Sequence, residues 1–285
     1  MKTFRIKLAI VGIFIFLLPL MVLGQSFLLQ DLPTDKKKLG FRYLRPDFKG
    51  DDGLSFLSGV YDFSVSIPVG SNMNFEASLP FVTIGSSGCN GGTCNDTESS
   101  IGNIYIGVRH RLKSTAEKGT SIALGVFLPT TPEDKFSTVM MGWYADYYEF
   151  QKFFPNTLTI YGNVSHHLIK ENGLMFNMEI GPNLSIPSGD NDGETELFAH
   201  YGLSAGYRTH GIVFKVELAG LAIVTEEAEH FGDRFTHFLV FGVQWNRGSI
   251  RPGLFYKLYL NEGWRESLNG VFGIKLDVIL DKENK

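Results

Sequence analysis

Cysteine is almost absent from this 285-residue chain, and after the first two dozen residues so is any long apolar run. The second absence excludes a bundle of membrane-crossing helices, since each would need roughly 20 consecutive apolar residues. It does not exclude a membrane protein built of strands, because each strand is then only half apolar. The usual catalytic patterns are missing too. There is no Gly-x-Ser-x-Gly elbow, no His-Glu-x-x-His zinc motif, no phosphate-cradling Gly-rich loop, and no Tyr-x-His-x-Ser-Asn-Gly of the outer-membrane phospholipases. The one close grouping of nucleophile and base types is Ser165-His166-His167, where alternation puts Ser165 and His167 on one face and His166 on the other. No enzymatic activity, cofactor or metal site is therefore expected.

Net basic charge is also lacking: 26 Lys and Arg stand against 30 Asp and Glu, for a formal net charge of −4. Lys2, Arg5 and Lys7 precede an apolar stretch from Leu8 to Leu23, and Val22-Leu23-Gly24 ends it with a plausible cleavage point before Gln25. This reads as a signal peptide over residues 1–24, against the alternative of a retained anchor. Losing those three positive charges takes the chain to about −7, which leaves no basic surface for nucleic acid. No lipobox cysteine follows. The only cysteines, Cys89 and Cys94, lie in a Gly-rich stretch and are expected to close as a local disulfide in an oxidising location, with metal binding by the two thiols as the alternative.

What the chain has in quantity is alternation. Tyr61, Phe63, Val65, Ile67 and Val69 are separated by residues including Asp62, Ser64 and Ser66. After a turn at 70–72, Met73, Phe75, Ala77, Leu79 and Phe81 alternate with Asn74, Glu76 and Ser78. The strongest case runs from Leu174 to Ile186, with Asn177, Glu179, Asn183 and Ser185 between apolar neighbours. A period of two places one set on each face of a strand, whereas helical spacing would scatter the polar groups around a cylinder. The pattern recurs to the final segment, where Phe272, Ile274, Leu276 and Val278 oppose Lys275 and Asp277. Segments of ten or more residues match tilted membrane-crossing strands better than the strands of about five or six residues found in soluble sheets. A soluble sandwich would also need one shared core for all the apolar faces; a barrel turned toward lipid does not.

The expected fold is thus all-β, a closed antiparallel transmembrane barrel of about 12 strands in residues 25–285, with 14 as the alternative count. Its first strand is the weaker segment 40–48, interrupted by Pro46, preceded by a short periplasmic lead-in at about 25–38. Short connections at 70–72, 113–119, 169–173, 209–211 and 246–249 alternate with longer ones at 49–56, 84–100, 130–155, 188–194, 225–233 and 261–266, as short periplasmic turns and long outer loops would. The aromatic stretch 140–154 could hold further strands or a loop helix.

Mid-strand charges on the face opposite the apolar stripe should line the lumen: Glu76, Arg109, Arg111, Glu179, Arg208, Lys215, Glu217, Arg251, Lys257, Lys275 and Asp277. Two readings of this set stand side by side, a structural network of ion pairs and a route for an anionic or polar solute. The acidic loops around Asp190-Asn191-Asp192 and Glu226-Glu227 are solvated or contact divalent ions and lipopolysaccharide, although neither has the spacing of an EF-hand loop.

One hairpin carries a family resemblance. Ser100-Ile101-Gly102-Asn103-Ile104-Tyr105-Ile106-Gly107-Val108-Arg109-His110-Arg111-Leu112, followed by Ala123-Leu124-Gly125-Val126-Phe127-Leu128-Pro129-Thr130, resembles a hairpin of a family of outer-membrane transporters. That family is named for association with the meta-cleavage pathway of phenol degradation. Asn103 and Thr131 stand here in place of its usual aspartate and glycine. The resemblance implies a barrel that admits hydrophobic or aromatic compounds, set in outer-membrane lipid, and brings no catalytic residues. The expected function is therefore a passive channel or transporter for small molecules. The rival is a closed structural or surface-binding barrel, favoured if inward Phe127, Phe198 and Phe255 meet at one level.

Overall fold

The computed structural model describes residues 26–30, 35–50, 53–85, 97–114, 118–189, 193–225 and 231–280. The expected signal peptide and the expected bridge between Cys89 and Cys94 lie outside them. The described chain opens with strands β1 (Lys37–Phe48), β2 (Gly59–Val69), β3 (Met73–Gly85), β4 (Thr97–Ile101), β5 (Ile104–Ser114) and β6 (Lys118–Leu128). After a helical insertion come β7 (Thr157–Ile169), β8 (Leu174–Pro187), β9 (Glu196–Thr209), β10 (Ile212–Ile223), β11 (Phe235–Trp245), β12 (Ile250–Tyr259) and β13 (Leu268–Leu280).

Each strand pairs antiparallel with its sequence neighbour, and β1 pairs with β13, so the sheet closes on itself. The short β4 and the longer β5 lie one after the other along β3 and are two halves of a single stave. The architecture is accordingly a closed 12-strand barrel, and the alternative count of 14 does not hold. Closure gives each stave a neighbour on both sides, as hydrocarbon requires because unpaired backbone groups are costly there. Pro46 is accommodated because pairing of β1 with β2 ends at Leu44, so the ring sits where the ladder on that side has stopped.

Alternation sorts the side chains as lipid requires. Ile180, Leu203, Leu124 and Met178 are each more than half exposed on the outer wall, while their neighbours Glu179, Ser204, Ala123 and Asn177 are buried within. Both ends of the sheet, Lys37 and Leu280, pair at the side of the short turns. The connection at 130–155 departs from a plain loop. It folds into the barrel as helix α1 (Phe136–Asp146) and a 3-10 segment (Tyr147–Lys152). Thr138, Met141, Gly142 and Ala145 face the interior at helical spacing, and Gly142 is where the Phe153 ring lies against the helix, leaving no room for a Cβ. A short α2 (Glu262–Ser267) caps the last outer connection, and among the described residues no helix is long and apolar enough to cross a membrane.

Replacing Ile180, midway along β8 and facing out, by Arg should destabilise the folded barrel by roughly 2 to 4 kcal/mol, read from lipid refolding equilibria in denaturant. An unchanged midpoint would mean that this face does not meet hydrocarbon.

Candidate functional site

The interior is layered, and the strand register sets the layers. Arg42, Lys275 and Asp62 share one level on β1, β13 and β2. One step toward the periplasm lie Gly40, Asp277, Ser64 and Ser78, and one step outward Leu44, Val60 and Val82, each at most 1% exposed. On this side of the barrel the inner wall therefore changes from charged to apolar between the Arg42 and Leu44 levels.

Two segments enter the lumen from opposite ends. From the outer end, the last residue of α1 and the 3-10 segment bring Asp146, Glu149 and Lys152 down to the Arg42 level. The Arg42 guanidinium donates to Asp146 at 2.7 Å, to Asp62 at 3.1 Å and to Glu149. Lys152 Nζ donates to Asp62 at 2.6 Å and Glu149 at 2.8 Å, and Lys257 Nζ to the Ala145 carbonyl at 2.6 Å. From the periplasmic end, residues 26–30 of the expected periplasmic lead-in lie inside the barrel. Glu217 accepts the backbone N–H of Phe27 and of Leu28, each at 2.7 Å. Glu179 accepts the N–H of Gln30 at 2.7 Å and, on its other oxygen, the Tyr148 hydroxyl at 3.0 Å. Lys215 Nζ donates to Ser26 Oγ at 2.8 Å and Lys275 Nζ to the Ser26 carbonyl at 2.7 Å.

Five of the eleven charged residues expected inside, Glu179, Lys215, Glu217, Lys257 and Lys275, thus hold one or other inserted segment. Glu76 and Arg109 instead pair with each other at 2.9 Å, and Asp277 accepts from Gln244 at 3.2 Å beside Lys275. Arg111 pairs with Asp35 at 2.9 Å near the turn end of β5. Arg208 and Arg251 sit toward the turn ends of their strands, exposed and half-buried, and join none of the ion pairs above. Phe198 and Phe255 do not meet Phe127. Phe150 packs on Phe198 at 4.5 Å and Phe27 on Phe255 at 4.9 Å, while Phe127 clusters with Tyr105 and Tyr161.

Arg42, Asp62, Asp146, Glu149, Lys152 and the 26–30 segment were not among the residues expected to line the lumen. Asp62 stood in plain alternation, and the run from Asp146 to Lys152 mixes acids, aromatics and a lysine as a buried loop would. The arrangement leaves a polar cavity of about 190 Å³ between residues 26–30 and the inner wall of β1, β2, β3 and β5. Asp62 Oδ1 and the Tyr105 hydroxyl, both among its lining residues, have no hydrogen-bond partner among the described residues, and the cavity is polar and large enough to admit water.

The hairpin that carried the family resemblance proves to be a clamp on the inserted loop. Asn103, fully buried between β4 and β5, accepts the N–H of Thr130 at 2.9 Å and of Thr131 at 3.0 Å on Oδ1. Its Nδ2 donates to the carbonyls of Gln151 at 2.9 Å and Phe154 at 2.7 Å. One amide so ties both ends of the insertion to the wall. A Cβ at the preceding Gly102 would collide with the Lys152 carbonyl, which explains the glycine.

No known family profile matches the sequence, and no curated protein matches it closely enough to be a relative. Solved structures do match in shape. An outer-membrane channel from Pseudomonas putida F1 aligns with 87% of this chain and 97% of its own at 11% identity and a TM-score of 0.58. The NanC porin aligns with 86% of this chain and all of its own at 10% identity and a TM-score of 0.51. At such identities the likeness establishes the fold, an outer-membrane β-barrel.

Glu149 titrates in the loop that forms the outer closure. Burial pushes its pKa up, but Lys152 and Arg42 beside it more than offset this, and the carboxyl ends well below the usual carboxylate range. A depressed pKa means stabilisation that is complete above the ordinary value of about 4.3 and is lost as pH falls through the lower, folded-state value. Acidification below about pH 4 should therefore loosen the inserted loop, seen as faster protease cleavage within residues 130–156 in folded barrels. Glu149→Gln should bring the same susceptibility at neutral pH. Equal cleavage of both proteins across the whole range would remove Glu149 from the closure.

Proposed function

We propose that this chain is a channel or transporter for small molecules in the bacterial outer membrane, shut in the form described by its own residues 26–30 and 136–152. The observation that carries this reading is the manner of closure. Twelve strands enclose a lumen wider than the eight-strand interiors that wall side chains can fill, so it is a passage unless other segments enter it. Here two segments enter from opposite ends, are held largely by hydrogen bonds and ion pairs, and leave a polar cavity between them and the wall. The names of the two structural neighbours, a channel and a porin, agree with it.

The hairpin resemblance to the phenol meta-pathway family adds that the solute is hydrophobic or aromatic. In this reading the lumen-facing charges serve mainly to hold the closures, and the chain performs no catalysis. Residues 1–24 direct export and are removed, Cys89 and Cys94 are bridged in the exported chain, and the acidic outer loops lie among lipopolysaccharide head groups. The rival reading, a permanently closed barrel, draws on the aromatic packing of Phe150 on Phe198 and Phe27 on Phe255.

Planar-bilayer recording separates the two. The mature chain should conduct little, and deletion of residues 25–30 together with replacement of residues 136–152 by a short Gly-Ser linker should raise its conductance. A correctly folded deletion variant that passes neither ions nor solute would leave only the closed-barrel reading. Intact-mass measurement without reductant should also find the two cysteines bridged; two alkylatable thiols would refute that part.

A further inference from the structure

We infer that the outer mouth of the barrel carries a capture site for a small neutral aromatic molecule, in the pocket between helix α1 and the rim residues Phe48, Leu54 and Ile84. The site deepens the channel reading by naming a solute class and where it first binds, and it rests on that reading for its purpose. The pocket has a volume of about 420 Å³ and is walled on the helix side by Phe136, Met140, Met141 and Tyr144. Pockets for small ligands run from about 300 to 1,000 Å³, and an apolar cavity of about 150 Å³ already accepts benzene.

Its apolar lining is not explained by lipid. By alternation Phe48 and Ile84 share the inward faces of β1 and β3 with Leu44 and Val82, and they lie at the outer ends of those strands. Leu54 is kept beside them because the next residue, Ser55, donates its N–H to the Gly85 carbonyl at 2.7 Å. These side chains stand in the water-facing mouth, where exposed apolar surface is unfavourable and marks a binding region. Phe136, at the start of α1, is 71% exposed there.

Among the described residues the pocket stands open to an occupant. Its chemistry follows from the walls: thioethers at Met140 and Met141 and rings at Phe48, Phe136 and Tyr144 favour aromatic faces and edges. Neutrality follows from charge. No charged side chain lines the pocket, so an ionic group on the occupant would lose water there and find no partner. The pocket floor is Met141, which with Ala145 and Val82 belongs to the buried apolar cluster outward of the Arg42 level. A captured molecule thus rests on the helix that forms the outer closure.

The test uses the full mature chain folded in amphipol and two fluorescent probes of nearly the same shape, neutral N-phenylnaphthylamine and its sulfonated counterpart anilinonaphthalene sulfonate. The neutral probe should bind saturably and more tightly than the sulfonate. Ile84→Glu and Met140→Glu, each placing a charge against the apolar walls, should weaken its binding by about tenfold or more. Heat-modifiable gel migration confirms folding, and Phe136→Ala, at the exposed end of the helix, serves if a glutamate prevents it. Unchanged affinity in the folded variants, or equal affinity for the two probes, would overturn the site. Binding requires no conduction, so a chain that binds the neutral probe but never conducts keeps the site and loses the channel, and the reverse result does the opposite.

Discussion

Everything in this structure depends on the requirement that no backbone N–H or carbonyl be left unpaired in hydrocarbon. Strands meet it only by closing, here through β1 on β13. Closure then dictates the sorting of side chains. The outward half of each strand must be apolar, so charged residues at membrane depth turn inward, where desolvation penalises them unless each finds a partner. Lys215, Glu217, Lys257 and Asp277 are each at most 4% exposed. Charges so deeply buried need counter-groups, and the wall, which pairs Lys215 with Glu217 at 3.7 Å and Lys275 with Asp277 at 3.5 Å, does not by itself complete them. The inserted segments do: backbone N–H groups for Glu217 and Glu179, the Ala145 carbonyl and Asp146 for Lys257, and the Ser26 hydroxyl and carbonyl for Lys215 and Lys275.

Arg42 is where the wall and the outer closure are joined, and it reaches the inner closure as well. Its guanidinium contacts Asp62 of the wall and Asp146 and Glu149 of the inserted loop, with a longer contact of 3.4 Å to the Phe27 carbonyl. Buried ion pairs of this kind add little net stability compared with well-packed apolar groups, but losing one partner leaves the others uncompensated and is strongly unfavourable. They therefore specify position more than they add strength. Arginine suits this role because its guanidinium stays charged and is more weakly hydrated than an ammonium, so it is better borne in a buried cluster of carboxylates. Lys152 completes the arrangement by taking a second share of Asp62 and Glu149.

The wall was legible in the sequence because lipid imposes a period of two over ten or more residues, and few other environments do so. The alternation around Ile180 and around Ile274 gave both the strand and its faces, and the short and long connections gave the topology. What fills the lumen was much less legible. Residues 26–30, Ser-Phe-Leu-Leu-Gln, form no regular element, and their place is set by carboxylates nearly 150 or more positions away. The run 136–152 carries its helical signal among aromatics that suit a strand equally well. Asn103 could be found as a departure from a motif, but only the structure shows its amide gripping Thr130, Thr131, Gln151 and Phe154. Local periodicity reports a residue's relation to lipid; it carries no information on contacts made across the lumen.

The two closures differ in how they are attached, and this bears on which can yield. The outer insertion is continuous with β6 and β7 and pinned at both ends by Asn103, so it cannot leave the barrel without unmaking that clamp. Movement there means deformation in place, around Met141, Ala145 and the Arg42 carboxylates. In the proposed reading, where residues 1–24 are removed on export, residues 26–30 are joined to the wall at one end only. Their bonds to Glu217 and Glu179 are made by backbone N–H groups, which water can replace on release without leaving a buried charge on the departing segment. A singly tethered segment also regains more conformational freedom on release than one fixed at both ends. The inner closure is thus the one that can be withdrawn whole. The Glu217 and Glu179 carboxylates it leaves behind would then face the lumen, so that withdrawal exchanges a protein-filled interior for a hydrated one of mixed charge.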